Sequence, residues 1–442
     1  MEFLQSFSCA CGRTHECPVR EVLIGHDVIR EIPRLLSGLH RVLIISDANT
    51  RPLAIGELMD ALSAGGILFS EVFFDQSDIL IPDEQSIDRI REAAIQDGIC
   101  SFDALIGIGS GVINDLCKYV SFLCEIPYMI IATAPSMDGF ASIGAALILG
   151  GMKVTLNAHV ASWIVGDTRI LKDAPMDMIR AGIGDILGKY SCLNDWKIAH
   201  VITGEHFCRT IYDLTMKEVL RTRNHIAGCM NREEKAVGDL MESLVMVGVA
   251  MAYMGNSRPA SGSEHHFSHF FEITGVAFHE PYLPHGIDVA YSSILTAGLR
   301  QMLLNTDPSF FHYHFDQDRY SEDIQNIYGL LAPEVIALQQ KVGFYRTNRL
   351  DVIHAHWEEI RGILAEAPSP EEMLSLLQCA GYDIKDFLSF YGEKRIRHAI
   401  RWAKDLKDRY TLLWLLENCG LLEAFADQMN LSIYKQTPEG VE

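Results

Sequence analysis

Between residue 20 and about residue 168, short β-rich runs alternate with segments of helical spacing. VLIISD at 42–47, ILFSEVFF at 67–74, ALIGIGS at 104–110 and YMIIAT at 128–133 are apolar runs of strand length. The segment that opens at Asp83 sets Ile87, Ile90 and Ala94 at helical spacing behind an acidic first turn, which suits the helix dipole. This is the βαβ rhythm of a parallel sheet covered by helices. After YMIIAT, the run AALILGGMKVTL places Gly150 and Gly151 between two apolar stretches and predicts a β-hairpin. Beyond Asp167 the strand signal fades, and long periodic stretches follow, punctuated at Pro175, Gly204, Pro259, Pro284, Pro333 and Pro370. The pattern predicts an α/β domain over 1–168 and an all-helical domain over 169–442, with the boundary at 168–174. A cleft between two such domains is a usual place for a cofactor and a substrate to meet.

The length of 442 residues agrees with two or three domains. A hydrophobic share of 48% and a charged share of 21% exclude disorder, collagen and coiled coil. Lys plus Arg number 37 against 58 Asp plus Glu, so the net charge is 37 − 58 = −21, which repels nucleic acid and anionic lipid. The start, MEFLQSFSCACGRTHECPVR, has no signal-peptide pattern. The longest uncharged apolar stretches, 139–152 and 244–255, fall short of the roughly 18 to 20 residues of a membrane span. Eleven cysteines without an export signal read as reduced thiols in a cytoplasm. A cytoplasmic small-molecule enzyme is the expectation.

In ALIGIGSGVINDLCK a strand runs through Gly107, Gly109 and Gly111 into a helix. The free N–H groups at that helix start suit a phosphate or pyrophosphate. The spacing differs from the six-residue dinucleotide fingerprint, and a tight turn without a ligand explains the glycines as well. ISDANT ends an earlier strand with Asp47 and Asn49, and TAPSMDGFAS leaves another with Thr133, Ser136, Asp138 and Ser142. All three segments leave the carboxyl ends of parallel strands, where open α/β sheets bind ligands. Together they predict a dinucleotide-binding domain, and the acidic Asp47 at a ribose disfavours a 2′-phosphate, which speaks for NAD over NADP.

In the helical half, AGIGDILGKY sets Asp185 four residues before Lys189 among Gly182, Gly184 and Gly188. Glycines in a helix cost about 0.8 to 1 kcal/mol each relative to alanine, so another body packs closely there. SRPASGSEHHFSHFF puts His265 and His269 one turn apart, and His285 stands at a helix start after Pro284. One carboxylate and two imidazoles can hold a divalent metal with coordination positions left open. Each histidine taken singly is better read as an ordinary hydrogen-bonded helix or cap residue, one among 17.

GIGSGVIND, TAPSMDG, GDILGK, SRPASGSEHHFSH and PHGIDVAY, in this order, resemble the sn-glycerol-1-phosphate dehydrogenases, within the iron-containing alcohol dehydrogenase and dehydroquinate synthase-like superfamily. The likeness runs from about residue 19 to about residue 300. It implies NAD or NADP bound by Asn49, by Gly111, Val112, Ile113, Asn114 and Asp115, by Thr133, Ala134, Pro135 and Ser136, and by Ser142. It implies one divalent metal, zinc or nickel, on Asp185, His265 and His285, which are also the catalytic set. Asp138, Asp185 and His269 would contact the substrate. The implied activity is reversible reduction of dihydroxyacetone phosphate to sn-glycerol 1-phosphate, with the metal as Lewis acid on the carbonyl. Lys189 or Arg258 would meet the substrate phosphate. A homo-oligomer, dimer or larger, is expected. Glycerol or another polyol dehydrogenase, a dehydroquinate synthase-like lyase and a non-catalytic binding subunit are the alternatives.

Two regions stand outside this reading. Cys9, Cys11, His15 and Cys17 offer the ligands of a small zinc knuckle but lack the two-residue spacing of a typical structural zinc pair, and plain reduced cysteines are preferred there. In the tail from about residue 343, segment 395–417 sets Ile396, Ile400, Ala403, Leu406 and Tyr410 on one apolar stripe, which core packing or a subunit contact explains.

Overall fold

The computed structural model describes residues 5–75, 80–96, 98–150 and 152–435. The chain forms two compact units, Met1–Ile186 with Thr210–Ala260, and Leu187–Arg209 with Ser261–Glu442. The strands end at Asp167, so the change of texture at 168–174 marks the end of the sheet, while the first unit also takes in helices that follow it.

The first unit is built on six strands. Across the sheet they run Glu21–Gly25, Trp163–Asp167, Tyr128–Ala132, Ala104–Gly109, Arg41–Asp47, Leu68–Phe74, and every neighbouring pair is parallel. Four of these are the apolar runs predicted above. Ala104–Gly109 and Tyr128–Ala132 are buried along their whole length, as strands covered on both faces must be. The other two strands escaped prediction. Glu21–Gly25 is a half-exposed edge, and Trp163–Asp167 is a short run that ends in a charge. The predicted hairpin is present, Gly144–Leu149 against Met152–Asn157, with Gly150 at φ +58° at its tip; Gly151 lies outside the described residues.

From Arg41–Asp47 the chain passes to Leu68–Phe74 on one side and then to Ala104–Gly109 on the other. The order reverses between these strands, and the crevice at their carboxyl ends is where such sheets take ligands. Asn49 and Ser110 follow directly on those ends.

The helix Glu234–Met254 is the one helix among the described residues long and apolar enough to cross a membrane, but 89% of that stretch is buried in the protein core. The second unit is helical in its described residues. Its Ile384–Trp402 helix breaks at Gly392, where φ is +70°. Ile396, Ile400, Ala403 and Tyr410 are buried and Leu406 is half-buried, so the apolar stripe is core. Lys404 and Asp405 interrupt it as a buried ion pair at 3.1 Å, with the ammonium over the rings of Tyr345, Trp402 and Trp414.

Candidate active site

The helix Gly111–Cys124 starts directly after the strand Ala104–Gly109. Its cap residue Ser110 makes no side-chain hydrogen bond to the helix; its hydroxyl instead lies 2.6 Å from that of Ser136. Asn114 N–H already reaches the Ser110 carbonyl. The amides of Gly111, Val112 and Ile113 therefore remain at the positive helix end, the arrangement that binds a phosphate. The three glycines do different work. A Cβ on Gly109 would stand 2.5 Å from Ile113 Cβ, and one on Gly107 would stand 2.8 Å from Cys117 Sγ, so both let the helix close on its own strand. At Gly111 the nearest atom is Met137 Cε at 4.0 Å, and this position faces open space.

The predicted cofactor residues beyond the turn sort likewise. Asn49 is exposed. Asp47 accepts through one oxygen from Asn49 N–H, Thr50 N–H and the Thr50 hydroxyl at 2.9, 2.8 and 2.9 Å. That turn accounts for Asp47, which therefore no longer speaks for NAD over NADP. Asn114 spends its side chain on the protein, donating to the Gly139 carbonyl and accepting from Tyr128 Oη, each at 3.2 Å. Asp115 lies 3.5 Å from Lys118 Nζ, and burial pushes its carboxyl up. Lys118 was missed in the sequence. It is fully buried and donates to the carbonyls of Gly139 and Gly144 at 2.9 and 2.8 Å and to Ser142 Oγ at 3.2 Å. It ties the Gly111–Cys124 helix to the loop that carries Ser142, and burial lowers its pKa. Thr133 and Ala134 are buried, and Thr133 N–H donates to the Gly109 carbonyl, which joins the two strand ends.

The loop that follows is clamped by two helices through glycines. A Cβ on Gly182 would lie 1.9 Å from the Pro135 carbonyl oxygen, and one on Gly248 would lie 2.8 Å from that of Asp138. Here the helical glycine does meet another body. Three residues on, Asp185 is fully buried, and its carboxylate accepts from the Asp138 N–H at 2.9 Å. The loop thus orients Asp185 through its backbone.

The histidines gather on two helices. His265 and His269 lie one turn apart on Ser263–Phe278, with ring centroids 6.0 Å apart; His285 opens His285–Leu304, 5.1 Å from the His265 ring and 5.5 Å from that of His269. Glu264, absent from the sequence reading, is fully buried and accepts from His265 Nδ1 at 2.7 Å and from Gly262 N–H at 2.9 Å. A carboxylate can only accept, so Nδ1 carries the proton and Nε2 presents a lone pair. His285 Nδ1 lies 3.2 Å from Ser268 Oγ, which braces that ring from the side of Nδ1. The Ser263–Phe278 helix start is pinned by buried Asp195, which accepts from Ser263 N–H and Oγ and from Leu412 N–H. Burial, then the nearby Glu264, pushes the Asp195 carboxyl up to about 6. Gly188 completes the packing, since a Cβ there would stand 2.6 Å from Val289 Cγ1 and 3.2 Å from Glu264 Cγ.

Asp185, His265 and His285 each offer one ligand atom, and these lie within 4.8 Å of one another. One carboxylate oxygen and two imidazole nitrogens, each braced by a hydrogen-bond partner, fit a divalent ion that keeps open coordination positions. His269 stacks at 24° on the His285 ring beside the set. Lys189 and Arg258 are both buried.

The model for the iron-containing alcohol dehydrogenase family matches residues 23–175. In fold, the chain is similar to an alcohol dehydrogenase from Oenococcus oeni, with a TM-score of 0.61 at 13% identity over 92% of this chain and 98% of that one. These define an α/β-plus-helical protein with the iron-containing alcohol dehydrogenase fold. In sequence it is similar to two proteins named glycerol-1-phosphate dehydrogenase, NAD(P)+-linked. That of Geobacillus stearothermophilus is 28% identical over 94% of this chain and 96% of its own length. That of Bacillus subtilis is 30% identical over 69% of this chain and 77% of its own length. The chain belongs to the glycerol-1-phosphate dehydrogenase family.

Proposed function

We propose that this protein is an NAD(P)-dependent oxidoreductase that reversibly reduces dihydroxyacetone phosphate to sn-glycerol 1-phosphate on a divalent metal, zinc or nickel. The observation that carries the reading is the approach of Asp185, His265 and His285 to within 4.8 Å. When bound there, the metal supplies a fixed positive charge for the oxygen that gains charge as hydride arrives, and the nicotinamide supplies the hydride. The chain's own residues do the rest. Glu264 holds the tautomer of His265, Ser268 braces the His285 ring, and the Asp138 amide holds the Asp185 carboxylate. Gly111, Val112 and Ile113 receive the cofactor pyrophosphate on their amides, with Ser136 and Ser142 on the adjoining loop. His269 and Asp138 meet the substrate hydroxyls, and Lys189 or Arg258 meets its phosphate by a charge-assisted bond. Positioning of this kind is what makes hydride transfer effectively unimolecular.

The test compares metal-depleted protein with protein restored by zinc or nickel, using dihydroxyacetone phosphate, unphosphorylated dihydroxyacetone and each nicotinamide. The expected result is turnover only with metal, far better with the phosphorylated ketone, and with one NAD(P)H consumed per product. Equal rates on dihydroxyacetone would support a polyol dehydrogenase. Turnover without net NAD(P)H consumption would support a lyase. The same reading carries a cytoplasmic homo-oligomer, dimer or larger, checked by fractionation and light scattering.

A further inference from the structure

We propose that Cys9, Cys11, His15 and Cys208 form a closed structural zinc site that shares no residue with the active-site set. The four side chains each offer a ligand atom, and these atoms all lie within 4.8 Å of one another. The proposal does not depend on the activity proposed above.

The local fold builds the site. Phe7–Ser8 and Thr14–His15 pair as a small hairpin. In its turn the Cys9 N–H donates to the Arg13 carbonyl and the Gly12 N–H to the Cys9 carbonyl, each at 3.0 Å. Gly12 sits at φ +85°, a left-handed conformation that a side chain would strain. This tight turn brings Cys9 and Cys11 back toward His15. The His15 ring is buried, and its Nδ1 lies 2.9 Å from the Tyr253 carbonyl. A carbonyl only accepts, so Nδ1 carries the proton and Nε2 is the basic nitrogen, in the way metal-ligating histidines are held. That Nε2 is 3.4 Å from Cys11 Sγ. On a tetrahedral zinc, with Zn–S about 2.3 Å and Zn–N about 2.0 to 2.1 Å, two such ligands stand about 3.5 Å apart. The rings of Phe7 and Tyr253 pack on His15 at 5.1 and 6.0 Å and shield its imidazole.

The fourth ligand comes from far along the chain. Cys208 is buried in the link between the helices Met176–Thr203 and Arg209–Met230. Two residues on, the Thr210 hydroxyl accepts from Cys9 Sγ at 3.4 Å. Cys17, the cysteine nearest the turn in sequence, is not in the group. Three thiolates and an imidazole are a soft set that selects zinc over magnesium or manganese, and four protein ligands leave no position for a substrate. The consequence is structural, with the zinc holding the N-terminal hairpin in its fold.

The experiment counts zinc per chain by elemental mass spectrometry in full-length wild type, in C9S/C11S and in H265A/H285A, each purified under reducing conditions after zinc-supplemented expression. The expected result is that H265A/H285A keeps one tightly held zinc per chain and that C9S/C11S lacks it. Zinc content in C9S/C11S equal to wild type overturns the proposal, as does wild type without tightly held zinc. Should C9S/C11S fail to fold, cobalt-loaded wild type decides. A thiolate-to-cobalt charge-transfer band in the near ultraviolet is expected, because the active-site set contains no thiol, and its absence overturns the proposal.

Discussion

The two ligand clusters solve one problem, how to present an imidazole to a cation, with different partners. His265 gives its Nδ1 proton to the buried Glu264 carboxylate, whereas His15 gives its own to the Tyr253 backbone carbonyl. A carboxylate partner both orients the ring and raises its basicity; a carbonyl mainly orients it. The ligand count differs in the same sense. Asp185, His265 and His285 leave room for a reacting oxygen, while Cys9, Cys11, His15 and Cys208 close the tetrahedron. An electrophilic site must be tuned and open, and a structural site needs only to be closed.

The largest effect expected from this contrast is on turnover. In H265A the metal leaves the open set, and several kcal/mol of charge stabilisation go with it. At about 1.4 kcal/mol per factor of ten, the loss in kcat/KM is roughly a thousandfold or more. Steady-state rates and metal content, measured together, check this. H265A protein that keeps wild-type turnover would break the assignment of the open set.

Glu264→Gln comes next. The side chain keeps its size and can still accept from Gly262 N–H, but it loses the charge that faces His265 Nδ1. Loss of such a partner typically weakens metal binding by about 10- to 100-fold. Chelator competition on the active-site metal reads the shift. Unchanged affinity would reduce Glu264 to a helix-start brace and remove the tuning half of the contrast. In C208S the expectation inverts. The unfolding midpoint falls by several degrees in a thermal scan, because folding no longer gains the full metal binding energy. The kcat/KM at 25 °C stays at the wild-type level. A variant with normal stability and poor turnover would mean that the closed set serves the reaction.

How far each cluster could be read from the sequence follows from where its ligands lie along the chain. His265 and His269 are one helical turn apart, so their shared face was legible from spacing alone. Cys208 was not legible, since nothing local ties it to the CACG turn, and Cys17 is the cysteine that stands nearest in sequence. Three strands buried inside the sheet, and the outer strand Leu68–Phe74, announced themselves as apolar runs. The edge strand Glu21–Gly25 and its neighbour Trp163–Asp167 did not, being short and bounded by charge. Glu264 and Lys118 were invisible for a related reason, because a buried charge is recognisable only once its partners are in place. The glycines of the strand-to-helix turn were seen but read too uniformly. Two of them serve packing, and only Gly111 faces open space.

That last distinction yields the smallest and sharpest expected effect. In G111A the new methyl meets nothing closer than Met137 Cε, so the fold and the unfolding midpoint should stay as in the wild type. If the cofactor pyrophosphate lies against that amide, the methyl intrudes on it, and a cost of about 1.4 kcal/mol raises the KM for NAD(P)H about tenfold. G109A should behave in the opposite way. Its methyl would press on Ile113 at 2.5 Å, and overpacking of that kind costs about 1 to 3 kcal/mol of stability. Thermal scans and cofactor KM values for the pair separate the two roles. A G111A protein with wild-type cofactor KM would mean that the helix start carries no phosphate, and that all three glycines serve the turn alone.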